Sequence, residues 1–374
     1  RDYVMHQKLW SFLNGEVLRA QISSSRAGVY LAAVEHEFFL FDGEGLPATY
    51  NQSQLFLSEF QNCRLARAFK TNSGNIIRLG FDQATGSYGS LKYDHEPHLL
   101  EYASAFHSNL DDLRIELEEI FGISENIARK NGLAILHHPS IELSADHPRV
   151  KSESLEFVRL RRFREMVQSE LGLKTTPELS NYAAVIASTQ VNISINKKVW
   201  NLTPNLIPNL YQLERKMLPY STMFTGADVR WKRYGDTYRG YKLLGFPDLS
   251  EWTIENWLDE CLKAYVFEVD SDSLKNLEKL LDISPNSIWK NWKALRDLQI
   301  IRPKITGALE FRADPCQPSV EKIMALVALR LGVNVLCAQE KCVVSRSDWK
   351  SERTKWWNAV QLVDYGSPDR VFLE

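Results

Sequence analysis

The segment Val34-Glu35-His36-Glu37-Phe38-Phe39-Leu40 sets two carboxylates two residues apart inside an otherwise apolar run. A β-strand alternates its side chains between two faces, so as a strand this segment points Glu35 and Glu37 to one side. Phe39 and Phe41 follow on that same side, and a solvated strand face would leave both rings in water. Two carboxylates held close together away from water raise each other's pKa unless a cation lies between them. Mg²⁺, a hard ion that takes oxygen ligands and keeps some of its water, is the simplest such cation. The segment therefore asks for a sheet with one polar, sheltered face.

The same alternation recurs in three other places. In Leu309-Glu310-Phe311-Arg312-Ala313-Asp314, Glu310 and Arg312 share a face; the two suit an ordinary ion pair, and a guanidinium beside a metal-binding carboxylate also suits the terminal phosphates of a nucleotide. In Gln190-Val191-Asn192-Ile193-Ser194-Ile195, amide side chains occupy the face opposite the apolar residues. In Asp94-His95-Glu96-Pro97-His98-Leu99-Leu100-Glu101, Pro97 interrupts a run of three carboxylates, as where a strand leads into a turn. Oxygen donors outnumber the histidines here, which favours Mg²⁺ or Mn²⁺ over zinc. Were Glu35, Glu37, Asp94, Glu96, Glu101 and Glu310 to meet in one cavity, they could not all stay ionised without bound cations. A last stretch, Asp228-Val229-Arg230-Trp231-Lys232-Arg233-Tyr234-Gly235-Asp236-Thr237-Tyr238-Arg239-Gly240, is basic and aromatic. It reads either as a solvated loop or as one that grips a nucleotide or another anion through Arg230, Arg233 and Arg239.

Strand-like runs cover 28–42, 75–81, 91–94, 183–195 and 307–313, rich in aliphatic and aromatic residues. Helix-like runs cover 109–131, 153–171, 208–218, 253–265, 273–281, 285–298 and 318–331. Helices and strands do not alternate singly, so the expected class is α+β with a mostly antiparallel sheet rather than a parallel doubly wound one. No linker-like tract divides the 374 residues, and residues 1–374 read as one domain with helical insertions. A formal net charge of −2 argues against general nucleic-acid binding. The five cysteines are odd in number and form no CxxC pair, which points to a reducing, cytoplasmic setting. No apolar run is long enough to span a membrane, and the first residues lack a signal-peptide layout.

Taken in order, Glu35-His36-Glu37, then Glu96-Pro97 with Glu101, then Gln190-Val191-Asn192, then Asp236-Thr237-Tyr238-Arg239-Gly240, then Glu310-Phe311-Arg312 with Asp314 resemble the motifs of the glutamate–cysteine ligase superfamily. The match is to the branch of plant-type enzymes and bacterial carboxylate–amine ligases, and it runs over about 28–332. The resemblance implies a glutamine-synthetase-like fold, in which a curved antiparallel sheet flanked by helices holds ATP and Mg²⁺ (or Mn²⁺) on its concave face. It implies Glu35, Glu37, Glu96, Glu101 and Glu310 as metal ligands. It also implies Asn192 and Gln190 near the nucleotide, and Arg312 and Arg239 on phosphates as the catalytic arginines.

The activity so implied is ATP-dependent amide formation through an acyl-phosphate, which needs no nucleophilic side chain. Its partners would be small amino-acid substrates, with a peptide or natural-product intermediate as a further acceptor class. The donor, the amine and the oligomeric state stay open. Two other readings compete. One is a non-catalytic homologue that binds an amino acid or peptide. The other is a helix-turn-helix DNA-binding regulator over 274–298, with a first helix to Leu281 and Lys290, Lys293 and Arg296 on the second.

Overall fold

The carboxylate-bearing segment extends for ten residues as strand β1 (Ala32–Phe41), and almost all of it is buried. The structure is a computed structural model that describes residues 2–12, 30–64, 66–82, 88–94, 96–151, 155–170, 172, 181–194, 265–268, 273–276, 301–304, 308–312 and 314–338, with isolated positions between 209 and 262. The strands that follow are β2 (Ala66–Lys70), β3 (Ile76–Asp82), β4 (Tyr88–Tyr93), β5 (Leu99–Ala103), β6 (Ala134–Leu136) and β7 (Thr189–Ser194). They are followed by β8 (Tyr265–Glu268), β9 (Ser273–Asn276), β10 (Ile301–Lys304) and β11 (Ala308–Phe311). The helices are α1 (Asp2–Phe12), α2 (Tyr50–Cys63), α3 (Leu110–Lys130), α4 (Leu155–Glu170) and α5 (Val320–Ala338).

Among the described residues, nine strands form one open sheet in the order β10-β11-β7-β1-β5-β4-β3-β2, with β6 added beside the end of β1. Its pairings are antiparallel throughout, the α+β arrangement expected from the sequence. A second, two-stranded sheet joins β8 to β9.

One face of the large sheet is apolar and packs against helices. Val34, Phe38, Leu79, Phe81, Leu91, Leu100, Val191, Ile193, Leu309 and Phe311 belong to the buried core. α2 meets it through Phe60, whose ring centroid lies 5.5 Å from that of Phe81. α3 brings Phe121 to His36, with ring centroids 5.2 Å apart. Local chemistry sets the bounds of these helices. Thr49 and Gln52 form a reciprocal capping box at the start of α2. Asn109 caps α3, which carries Asp111 and Asp112 in its first turn and Arg129 and Lys130 in its last, as the helix dipole favours. The buried positions Leu113, Leu117, Ile120, Ser124 and Ile127 trace a single stripe along it.

Two local expectations differ. Tyr182–Val185 is a turn of 3-10 helix and extended chain begins at Thr189; the adjacent alanines there carry little preference for a strand. Ser273–Asn276 is strand rather than helix, with Leu274 opposite Phe267 and Lys275 opposite Val266. An isolated run of about nine residues is too short to hold a helix by itself, and β8 supplies a backbone partner for it. The first helix of the DNA-binding reading is therefore not formed as expected, and its second helix, 285–298, lies outside the described residues.

α5 is fastened to the sheet by a buried ion pair. The Arg330 guanidinium donates to both oxygens of Asp314 at 2.9 and 2.6 Å, both residues are fully buried, and the guanidinium lies over the Phe311 ring. Asp314 lies three residues beyond the end of β11, and its carbonyl accepts from the Thr189 N–H. Removing one partner leaves the other charge buried, so Arg330→Met should cost about 3–5 kcal/mol of stability. Guanidinium denaturation would check this, and Asp314→Leu added to Arg330→Met should recover part of the loss.

Candidate functional site

The other face of the sheet is polar, and the register shows how it is assembled. Glu37 on β1 lies opposite Glu101 on β5, and Glu101 lies opposite Lys92 on β4. On the other side of β1, Glu35 lies opposite Gln190 on β7, and Asn192 lies opposite Glu310 on β11. Residues directly opposite in a ladder share a face, so Lys92, Glu101, Glu37, Glu35, Gln190, Asn192 and Glu310 form one band. It crosses five strands, about 19 Å at the usual strand spacing. Arg312 extends it, two residues beyond Glu310. Most of the band is buried: Glu37 is 2% exposed, Glu101 4%, Gln190 3%, Asn192 2% and Glu310 2%.

Hydrogen bonds hold the band in place. The Glu37 carboxylate accepts from the Ser188 backbone N–H at 2.7 Å and from Gln190 Nε2 at 3.0 Å. Asn192 Nδ2 donates to Glu35 at 3.3 Å, while Asn192 Oδ1 is buried with no hydrogen-bonding partner among the described residues. Arg312 lies 3.8 Å from Glu310. Lys92 Nζ pairs with Glu101 at 3.0 Å. Glu37, Asp94 and Glu101 each place a carboxylate oxygen within 4.8 Å of the others. Asp94 comes last in β4's alternating series Ser90, Lys92, Asp94, and its N–H donates to the Leu99 carbonyl across the β4–β5 turn.

The electrostatics follow from this crowding. Burial lifts the Glu101 carboxyl from its usual 4.5 to about 7, with Glu35 and Asp94 adding to the rise and Lys92 opposing it. Glu101 holds the Lys92 ammonium in its charged form well above the usual range, aided by Asp94 and Glu35. Behind the band, on the helix-packed face, the His36 ring lies between Thr189 Oγ1 and His137 Nδ1 at 3.0 Å each. Burial, with His137 adding to it, lowers the His36 pKa. Burial likewise lowers His137 and His98 to about 4.

Of the five glutamates expected to hold metal, Glu37 and Glu101 converge, and Asp94 joins them. Glu35 and Glu310 lie on the same face along the band. Glu96 is fully buried in an ion pair with Arg161 of α4 at 2.5 Å. Gln190, Asn192 and Arg312 are on the band, and Arg230, Arg233 and Arg239 lie outside the described residues. Lys92 was not singled out from the sequence. The signal was present in the alternation of Ser90, Lys92 and Asp94 with Leu91 and Tyr93, but a lone lysine on a strand also suits an ordinary solvated face.

The sequence matches no protein-family profile and no curated protein. Among solved structures, the chain is similar to the glutamate–cysteine ligase of Francisella tularensis in complex with AMP, at 13% identity and a TM-score of 0.43, over 92% of this chain and 72% of that one. It is similar to a bifunctional glutathione synthetase from Pasteurella multocida at 11% identity and a TM-score of 0.42, over 97% of this chain and 44% of that one. A third is the complex of the prokaryotic ubiquitin-like protein Pup with its ligase PafA, at 11% identity and a TM-score of 0.40, over 88% of this chain and 51% of that one. The chain thus spans about half the length of two of these three. Among the described residues no helix is long and apolar enough to cross a membrane.

Glu101 gives a pH dependence of known sign. Its folded pKa is raised, so its contribution to stability is present below pH 4.5 and is lost as pH rises toward 7. His98 and His137 have lowered values and act in the opposite direction over the same interval. Comparison with Glu101→Gln isolates the carboxyl. Without divalent cations, wild type should lose on the order of 2 kcal/mol relative to that variant between pH 4.5 and 7. Urea denaturation across this range is the measurement, and parallel curves would contradict it.

Proposed function

We propose that this chain is an ATP- and divalent-metal-dependent ligase that forms an amide bond between an amino-acid carboxylate, glutamate-like in class, and an amine. The amine is cysteine or another amino compound, with a peptide or natural-product intermediate as a further class of acceptor, and the setting is cytoplasmic. The observation that carries this reading is the convergence of Glu37, Asp94 and Glu101 on a sheltered sheet face that continues to Glu310 and Arg312. The order of the sequence motifs supports the same class.

The donor set suits Mg²⁺ or Mn²⁺. It offers carboxylate oxygens at close range without sulfur, and the Asn192 Oδ1 acceptor is a further oxygen on the same face. In this reading Glu37, Asp94 and Glu101 hold a first ion, and Glu35 and Glu310 are the candidates for a second. Glu96 keeps its role as a proposed ligand only if it exchanges Arg161 for metal. Bound Mg²⁺ supplies charge neutralisation for a phosphoryl group in transfer.

The chain's own groups supply the remaining requirements. Ser188 and Gln190 fix the Glu37 carboxylate in advance, so little ordering remains when an ion binds. Arg312 grips the oxygens of the transferring phosphoryl group, a part that the family resemblance also gives to Arg239. Gln190, Asn192, Arg230 and Arg233 contact the nucleotide. The substrate carboxylate takes the γ-phosphoryl group from ATP and releases ADP. The amine, in its neutral form, then attacks the acyl carbon and phosphate departs with the C–O bond. Shelter from water limits hydrolysis of the acyl-phosphate in the interval.

The deciding experiment is phosphate release from ATP with Mg²⁺ and amino acids offered singly and in pairs. A particular pair should be required. Asp94→Asn and Glu310→Gln should each lower release by more than the roughly 10- to 100-fold that loss of an outer-shell partner costs at a metal site, with circular dichroism unchanged. Release that needs no second substrate, or survives both substitutions, would refute the ligase reading.

A further inference from the structure

The carboxylate trio already has a cation in contact with it. Lys92 projects from β4 on the same face as Glu101, its direct partner across the ladder, and its ammonium lies 3.0 Å from the Glu101 carboxylate. The Glu101 side chain is 5% exposed, whereas that of Lys92 is 38% exposed. Lys92 is thus the more water-exposed member of the pair. Asp94 is two residues further along the chain and one carboxylate of the trio, and Glu37 faces Glu101 from β1. One lysine therefore lies against the same carboxylate that the proposed metal ion would need.

We propose that Lys92 is a tethered counter-ion, which pairs with Glu101 of the Glu37–Asp94–Glu101 trio before a divalent ion binds and must give it up when one does. The inference rests on the metal-site reading above. Its physical basis is competition. A lysine is a compact charge on a flexible four-carbon stem, able to leave without rearranging the sheet. A carboxylate between an ammonium and a divalent ion carries the repulsion between the two cations as well as its attraction to each. Lys92 would therefore offset part of the trio's negative charge without metal, and would lower the affinity for the first ion. Glu96 offers a contrast: its partner Arg161 is 6% exposed, and that pair is enclosed rather than open to exchange.

The test is Mn²⁺ binding without nucleotide or substrate, read from the free-ion electron paramagnetic resonance signal at pH 7.5. Wild type, Lys92→Met and Lys92→Arg would be compared, with thermal unfolding of each in EDTA and in excess Mn²⁺. Lys92→Met should bind Mn²⁺ roughly tenfold more tightly than wild type. It should unfold at a lower temperature in EDTA and recover most of the difference in Mn²⁺, while Lys92→Arg stays near wild type on both measures. Binding by Lys92→Met alone would support the proposal too. Equal or weaker Mn²⁺ affinity in Lys92→Met, with clear binding by wild type, overturns the inference and leaves the metal site standing. No Mn²⁺ bound by any of the three overturns both.

Discussion

Strand β1 has to satisfy two opposite environments, and the rest of the structure is arranged around that demand. Its even-numbered residues Val34, His36, Phe38 and Leu40 join the helix-packed core, while Glu35 and Glu37 stand on the reverse face. Because side chains alternate strictly, a slip of one residue in its register would drive both carboxylates into the core and bring the core residues out. β5 and β7, which flank β1, hold that register and share its polarity: Glu101 faces Glu37, and Gln190 faces Glu35. One ladder thus defines both the core and the charged band.

Charge is handled in two ways, according to its depth and access. Arg330 with Asp314 and Arg161 with Glu96 are enclosed pairs. Each joins a helix, α5 or α4, to a segment flanking the band: the residues after β11 or the turn before β5. Glu116 has a comparable structural role, since its carboxylate accepts from the Tyr102 hydroxyl, the Ala105 N–H and the His107 ring. The band differs because several carboxylates share it and one of its cations, Lys92, is partly open to water. Enclosed pairs set geometry, whereas a crowded and accessible set can exchange one cation for another.

The pairing of Glu96 with Arg161 and the arrival of Asp94 at the trio have one physical origin. Asp94 opens the β4–β5 turn and Glu96 lies within it; there the Asp94 N–H donates to the Leu99 carbonyl and the Leu99 N–H donates to the Glu96 carbonyl. Asp94 continues the alternation of β4 and so stays with the Lys92 face. Glu96 lies beyond the strand, where alternation no longer sets direction, and it turns to α4. Sequence order identifies the acidic segment but not which of its acids follows the strand and which leaves it.

By itself the sequence determined the class of sheet, the faces of β1, β7 and β11, and the limits of α3, because these depend on period-two alternation, capping residues and helix-end charges close by in the chain. It also marked Glu37, Glu101, Gln190, Asn192, Glu310 and Arg312 as belonging to polar strand faces. Only the tertiary structure decided that Glu37, Asp94 and Glu101 meet, that Lys92 joins them, that Glu96 faces Arg161, and that Ser273–Asn276 pairs with β8 rather than coiling. Each of these depends on partners brought from distant positions by strand register and helix packing. Local periodicity carries no record of which strands lie side by side.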